Sequence, residues 1–177
     1  MHHRIPRQPD SGPVTASRAD HEALLGDELA AVLAGARRRS VRDGDRQVDT
    51  AHLLHSLLET DPEVRAAFDG GPRVARLLGY LVQRSIGYGL RWQGSVEDSG
   101  ALSVVHVTVA EGYSPLAAAA LEYAVTRAAR RGDVRPRGVD LLAAIVADPG
   151  SRAVEVVGRA GIDAAELLSR LEPARRH

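Results

Sequence analysis

Two histidines are the first residues whose types and spacing could support chemistry. His52 and His55 are one helical turn apart if their leucine-rich stretch is a helix. Such a pair can bind a metal ion, but a metal site needs a third or fourth ligand, and no such ligand is in view. We therefore interpret both histidines as structural.

Other catalytic patterns are missing. The chain has no cysteine and no lysine, which excludes a thiol nucleophile, a thiolate metal site, a Schiff base and a P-loop lysine. His21-Glu22 is not followed by a histidine at the zinc-protease spacing, and there is no Gly-x-Ser-x-Gly turn. We predict that the protein is not an enzyme and that it uses no cofactor and no metal.

The charges are balanced, which bears on partners and location. Arg and Lys total 23, and Asp and Glu also total 23, so no strongly basic surface for nucleic acid is expected. The arginines at 37–39 and 130–131 are interpreted as solvated helix ends, where the helix dipole favours cations. No apolar run is long enough to span a bilayer, and the N-terminus lacks the apolar segment of a secretion signal. We expect a cytoplasmic protein that binds neither nucleic acid nor membranes.

Helical periodicity runs through most of the chain. From Asp20 onward, apolar residues recur at spacings of three and four, which indicates a helix with one buried face. Another helix, from Val74 with Val82 on its apolar side, follows the break at 70–72. Capping residues predict five more helix starts, at Asp49 or Thr50, Asp61-Pro62, Ser114-Pro115, Asp148-Pro149 and Asp163. The sequence therefore predicts an all-α protein.

Three segments depart from this pattern. Residues 87–112 are rich in glycine, and valines at 105, 107 and 109 alternate with polar residues. We predict a small β-hairpin there, with a plain loop as the alternative, and refer to residues 87–112 as the insert. Residues 1–19 and 173–177 have no periodicity and are predicted as disordered tails.

The second half of the chain repeats the first. His-Leu-Leu at 52–54 followed by Asp-Pro at 61–62 matches Asp-Leu-Leu at 140–142 followed by Asp-Pro at 148–149. Two four-helix units of this kind bury a continuous core when they pack face to face. We predict two repeats related by a pseudo-twofold axis, one at 20–86 and the other at 113–172.

This doubled pattern resembles the Clp N-terminal repeat, the substrate-receiving domain at the front of ClpA-, ClpB- and ClpC-type unfoldases. The second repeat carries the resemblance as Tyr-Ser-Pro at 113–115, an alanine-rich helix and Asp-Leu-Leu at 140–142. The first repeat carries it as Val-Asp-Thr-Ala-His-Leu-Leu at 48–54. The resemblance implies a non-catalytic, all-helical binding domain. Because the chain has no lysine for a Walker A motif, we expect a stand-alone N-domain homologue without ATPase modules.

The resemblance has one departure that affects ligands. In ClpC-type domains, an acidic residue before the motif histidine pairs with the guanidinium of phosphoarginine. The matching positions here are Ala51 and Val139, and an apolar side chain cannot supply the carboxylate of such a pair. We predict that these two positions do not bind phosphoarginine.

The resemblance also indicates ligand-binding residues. In related domains, the aromatic residues that open the two repeats line an apolar groove that receives peptide-like ligands, including cyclic peptides. Tyr113 matches the aromatic of the second repeat, His21 takes its place in the first, and Glu122 follows Tyr113 by two to three turns. An aromatic ring beside a carboxylate suits peptide amides and cations. The alternative is that Tyr113 only joins the two repeats.

We predict a peptide- or protein-binding module that acts as an adaptor, accessory or ligand-sequestering partner in Clp-mediated proteolysis. Its partners would be unfolded segments, peptides, cyclic peptides or a Clp unfoldase. The alternative is an interaction module that docks a specific partner through the insert. A helical DNA-binding regulator is less favoured, because the second helix of each repeat is leucine-rich and lacks the polar residues that read bases.

Overall fold

The computed structural model describes residues 18–83, 97 and 112–172, with side chains described from Leu25 onward. Within these ranges the chain forms eight α-helices: α1 (Arg18–Arg42), α2 (Thr50–Thr60), α3 (Pro62–Ala67), α4 (Gly71–Gln83), α5 (Pro115–Arg131), α6 (Gly138–Ala147), α7 (Arg152–Arg159) and α8 (Ala164–Leu171). The predicted all-α fold is confirmed. Apart from Glu97 and Gly112, the predicted hairpin lies outside the described residues, as do positions 1–17 and 173–177 of the predicted tails.

The first helix is longer than the periodicity indicated. It begins at Arg18, two residues before the predicted start at Asp20, and it continues to Arg42, past the arginines at 37–39 that were interpreted as its end. It is broken at Gly26, where φ is 80°. After the break, the apolar residues at 29, 32, 33 and 36 are buried, as predicted. This face therefore supplies one wall of the core.

Helices α2 and α6 form the centre of the molecule. Thr50–Leu58 in α2 and Gly138–Val146 in α6 are buried throughout, as expected for helices that are covered on all sides. α2 packs against α1, α3 and α4 of its own half and against α5, α6 and α7 of the other half. α6 packs against α5, α7 and α8, and also against α2 and α3. The two halves therefore share one core.

Four of the five capped helix starts are confirmed. The side chains of Asp49, Asp61, Ser114 and Asp163 accept backbone N–H bonds in the first turns of α2, α3, α5 and α8. The start at Asp148-Pro149 is wrong. Asp148 ends α6 and accepts a hydrogen bond from the Gly150 N–H, whereas α7 begins at Arg152 with Ser151 as its cap. Asp-Pro also suits a turn, and the serine that follows provides the cap.

The outer helix surfaces are mostly polar, with a few exposed apolar residues. Val74, Leu77 and Leu81 of α4 are buried, but Val82 is 47% exposed because it is one position, about 100°, further around the helix. Its predicted place on the buried side is therefore wrong. Within 18–83 and 112–172, no helix is long and apolar enough to cross a membrane.

Candidate functional site

The two repeats meet where α2 and α5 begin. Val48 and Tyr113, which precede these helices, form an isolated parallel β-bridge. The Val48 N–H donates to the Gly112 carbonyl at 2.8 Å, and the Ser114 N–H donates to the Val48 carbonyl at 2.8 Å. These bonds hold the start of the second repeat against the start of α2. We refer to residues 48–50, 97, 113–114 and 151–152 as the repeat junction.

Tyr113, the predicted ligand-binding aromatic, is buried in the repeat junction. Only 4% of its surface is exposed. Its hydroxyl accepts a hydrogen bond from the Arg37 guanidinium at 2.9 Å, and the guanidinium carbon lies 5.8 Å from the ring centroid. At this distance a cation and an aromatic ring attract each other. Tyr113 is thus linked to α1 of the first repeat, which is the joining role that the sequence left open as the alternative.

The other two predicted binding residues lie on the first helices of the two repeats. Glu122 is partly exposed on α5, about 10 Å along the helix axis from its start. Glu122 and the buried Tyr113 are therefore not immediate neighbours. His21 lies near the start of α1, and its side chain is outside the described residues. The assignment of these three residues to one ligand site stays a prediction.

Glu97, a residue of the insert that sequence analysis missed, is the central side chain of the repeat junction. It is 4% exposed. Its carboxylate accepts hydrogen bonds from the Thr50 N–H at 2.9 Å, the Ser114 hydroxyl at 2.7 Å and the Arg152 N–H at 2.7 Å. It also accepts one from the Thr50 hydroxyl. One acidic side chain therefore joins the starts of three helices from both repeats.

The surroundings of Glu97 stabilise a buried negative charge. Thr50 and Arg152 are the first residues of α2 and α7, and Ser114 is the cap of α5. The carboxylate therefore lies at the positive ends of helix dipoles, and it accepts hydrogen bonds that its own charge strengthens. The Arg152 guanidinium pairs with Asp49 at 2.9 Å. We interpret Glu97 as a structural residue that holds the starts of α2, α5 and α7 in position.

His52 and Asp140 are equivalent residues of the two repeats. Each is the third residue of its helix, and each side chain accepts the backbone N–H of the residue just before that helix. His52 Nδ1 accepts from Asp49 at 3.0 Å, and Asp140 Oδ2 accepts from Arg137 at 2.8 Å. Such a bond satisfies one of the free donors at a helix start. The structural interpretation of His52 agrees with this arrangement.

Three described side chains lie close enough together to hold a metal ion: Asp43, Asp45 and His52. His52 Nε2 lies 2.9 Å from Asp45 and 3.4 Å from Asp43. Nδ1 accepts the Asp49 N–H, as the side chain of a helix cap does. We therefore interpret His52 as a capping residue whose Nε2 faces the carboxylates of Asp43 and Asp45.

The charged groups around Asp140 have the opposite sign to those around His52. Its fully buried carboxylate accepts hydrogen bonds from Arg127 at 2.6 Å and from Arg131 at 2.6 and 2.8 Å. Burial alone would raise the pKa of Asp140. The bonds from Arg131, from the Arg137 N–H and from Arg127 outweigh burial and lower that pKa below its ordinary value. The first repeat thus has a histidine facing two carboxylates, and the second has a carboxylate facing two arginines.

A second polar contact between the repeats brings two acids together. The Glu28 carboxylate of α1 accepts a hydrogen bond from the Gly138 N–H of α6 at 3.3 Å. The Glu28 carboxyl also interacts with that of Asp61. Residue 138 must be glycine, because a Cβ there would lie 1.9 Å from Asp61 Oδ2. Partial burial of the carboxyl, followed by its interaction with the Asp61 carboxyl and the negative charge of that group, raises the pKa of Glu28, although the residue as a whole is exposed.

A Glu28→Gln variant is expected to be slightly more stable than the wild type at pH 7. Because folding raises the pKa of Glu28, its contribution to stability is full below the ordinary pKa of 4.5 and is lost as the pH rises through the folded-state pKa. Glutamine keeps an acceptor for the Gly138 N–H without a second negative charge beside Asp61. The gain should be under about 1 kcal/mol, because Glu28 is solvent-exposed.

Urea titrations at pH 4 and pH 7 measure this effect, and the gain should be larger at pH 7. Asp27→Asn removes the same charge from the exposed neighbour on α1 and is expected to behave like the wild type. A Glu28→Gln protein that is less stable than the wild type at pH 7 would contradict the prediction.

Comparisons with known proteins give a match at the level of structure. No family model matches the chain, and no curated protein sequence matches it. Among solved structures, it is similar to the N-terminal domain of the caseinolytic protease associated chaperone ClpD from Arabidopsis thaliana. The TM-score is 0.60 and the sequence identity 15%, and the match covers 84% of this chain and 92% of that chain. The fold expected from the resemblance is confirmed: this chain has the Clp N-terminal domain fold.

Proposed function

We propose that the protein is a non-catalytic binding module that receives peptides or unfolded protein segments. In this role it would act as an adaptor, accessory or ligand-sequestering partner in Clp-mediated proteolysis. The observation that carries the proposal is the likeness to the ClpD N-terminal domain over 84% of the chain. The hydrogen bonds of His52 and Glu97 hold helix starts in place, which agrees with a non-catalytic role for these two side chains.

The proposed ligand surface is the exposed side of α5. Glu122 is partly exposed, and Tyr123 and Thr126 beside it are exposed. Thr126 lies four positions after Glu122 and three after Tyr123, so it shares a helix face with each of them. Tyr123, which is 40% exposed, adds an aromatic ring about 100° further around the helix than Glu122. A peptide can contact both groups along one helix face, with Tyr113 supporting the start of that helix from inside.

The proposed ligands do not include phosphoarginine bound at the motif positions. Ala51 is fully buried and Val139 is 9% exposed. Neither residue offers a carboxylate or an open surface to a guanidinium group. The ligand class that fits the exposed face of α5 is a peptide with apolar and amide groups, for which one aromatic ring and one carboxylate are suitable contacts.

Binding to a permanently unfolded protein tests the proposal. Fluorescence anisotropy of labelled, reduced and carboxymethylated α-lactalbumin should show binding by the full chain. Tyr123→Ala is expected to weaken it by about tenfold, since aromatic residues dominate such interfaces. Glu122→Gln should weaken binding to basic peptides more than to neutral ones. Tyr113→Phe keeps the buried ring and removes the bond to Arg37, so it is preferable to Tyr113→Ala, which would open a cavity.

Val134→Ala is the matched control, because Val134 is 95% exposed and lies outside α5. A second variant replaces residues 101–110 with a glycine-serine linker of equal length. It leaves Glu97 in place, whereas deletion of the whole insert would remove the central side chain of the repeat junction. If the linker variant loses binding while Tyr123→Ala binds like the wild type, docking through the insert would be favoured. Absence of binding by the wild type would overturn the proposal.

A further inference from the structure

A pocket lined by arginines lies between α1 and α2. Its volume is about 200 Å³, and its lining consists of Gly35, Arg38, Arg39 and Arg42 from α1 and Glu59 from α2. Three guanidinium groups and one carboxylate give this lining two net positive charges. The first repeat therefore presents a small, positively charged cavity.

Only part of this charge is neutralised inside the protein. Arg39 forms an ion pair with Glu59, and His55 Nε2 lies 3.2 Å from the same carboxylate. Arg38 and Arg42 are exposed, and neither forms an ion pair with another residue of the described part of the chain. Two guanidinium groups thus border one cavity without an ion-pair partner among the described residues.

Gly35 forms a bare floor for the pocket. A Cβ at this position would lie 2.5 Å from the Ser56 hydroxyl oxygen and 3.7 Å from Arg38 Nη2. The first distance shows that α1 and α2 touch here, and the second shows that the Arg38 guanidinium lies close to the Gly35 backbone. The absence of a side chain at residue 35 therefore allows α1 to pack closely against α2 beside the pocket.

The helix dipole explains these arginines only in part. The C-terminal end of α1 attracts cations and disfavours anions, but this effect is limited to the last turn and is screened by salt. A guanidinium–phosphate contact is a direct, charge-assisted hydrogen bond. The dipole also does not account for a cavity to which Arg38 and Arg42, one turn apart, both contribute.

We propose that this pocket binds a phosphate monoester through Arg38 and Arg42. A phosphate monoester carries about 1.5 to 2 negative charges at pH 7, which matches the two net positive charges of the lining. The planar guanidinium fork also fits two phosphate oxygens at once. The ester comes either from a phosphorylated side chain of a peptide or from a small free molecule. The pocket is independent of the α5 surface, so this inference does not rest on the proposed function.

Isothermal titration of the full chain with O-phospho-L-serine tests the site, with serine as the blank. Phosphoserine is expected to bind, more weakly as salt increases. Arg38→Gln and Arg42→Gln should each weaken binding by about tenfold or more, since each removes a charged hydrogen-bond donor. Arg130→Gln, at an exposed arginine near the end of α5, is the matched control and should bind like the wild type. Glu59→Gln should strengthen binding severalfold, which a purely structural role for the arginines would not produce.

Two further ligands identify the source and the specificity. A phosphoserine peptide that binds tighter than free phosphoserine indicates a peptide source, and equal affinities indicate a free ester. Either result supports the site. Equally tight binding of sulfate, no binding of phosphoserine to the wild type, or equal effects of Arg38→Gln and Arg130→Gln would each overturn it.

Discussion

An Asp140→Asn variant should lose about 3 kcal/mol of unfolding free energy at neutral pH, because it leaves the partly buried Arg127 without its counter-charge and Arg131 with only the exposed Asp133. Asp140 is fully buried, and both guanidinium groups lie within 2.8 Å of it. Arg127 also donates to the Leu171 carbonyl of α8, so the loss should loosen that helix as well. In thermal unfolding, this corresponds to a Tm decrease of about 6–12 °C.

The pH dependence separates this ion pair from a simple packing defect. Because folding lowers the pKa of Asp140, its contribution to stability is present above the ordinary pKa of 3.8 and is lost as the pH falls through the lower folded-state pKa. The difference in unfolding free energy between the wild type and Asp140→Asn should therefore be constant above about pH 4 and should decrease below it. Urea titrations from pH 7 to pH 2 measure this difference.

Asp133→Asn is the control for the Asp140 series. Asp133 pairs with Arg131 at 2.7 Å but is 44% exposed, so its loss should cost at most about 1 kcal/mol. If Asp133→Asn and Asp140→Asn have the same Tm, the buried carboxylate does not have the role we assign to it. The same conclusion follows if the loss of unfolding free energy in Asp140→Asn does not change with pH.

Glu97→Gln is expected to destabilise the protein by about 2–3 kcal/mol, although glutamine has the same shape. Within the described part of the chain, the groups that hydrogen-bond to the Glu97 carboxylate are all donors: two backbone N–H groups and two hydroxyls. The amide NH2 of glutamine cannot accept from them, so at least one buried N–H, at Thr50 or Arg152, loses its acceptor. Glu97→Ala removes every acceptor and should cost about 4 kcal/mol or more, with a Tm decrease of about 8 °C or more.

Hydrogen exchange locates the effect of the Glu97 substitutions. The Thr50 and Arg152 amides should exchange faster in Glu97→Gln, while amides in the middle of α6 should follow only the change in global stability. Glu166→Gln makes the same chemical change at an exposed site in α8 and should leave the Tm nearly unchanged. Wild-type exchange at both junction amides in Glu97→Gln would rule out the assigned hydrogen bonds.

What could be predicted from the sequence was local along the chain. The caps at Asp49, Asp61 and Ser114 each act within three residues, so their partners are visible in a short stretch of sequence. The repeat could be recognised because His52 and Asp140 occupy the same position in two helices of similar sequence. The start at Asp148 failed for the same reason, since a short pattern cannot distinguish a turn from a helix start.

What could not be predicted depends on contacts between distant residues. Glu97 accepts bonds from residues 47, 17 and 55 positions away, and no spacing rule connects them. Arg37 and Tyr113 are 76 positions apart. The resemblance could suggest Tyr113 as a ligand contact, but the burial of its ring against α1 follows only from how the two halves pack. The arginine pocket likewise requires Glu59 and α1 to meet in space.

The side chains that face the start of α2 are acidic, whereas those that face the start of α6 are basic. This difference in charge limits which substitutions the chain can accept at positions 52 and 140. A histidine at position 140 would place an imidazole between Arg127 and Arg131, whereas an aspartate at position 52 would add a third acid to Asp43 and Asp45. The first change removes the acid that two arginines face, and the second places three acids together. We therefore expect either residue to be tolerated at the other's position only when the charged residues that face it change as well.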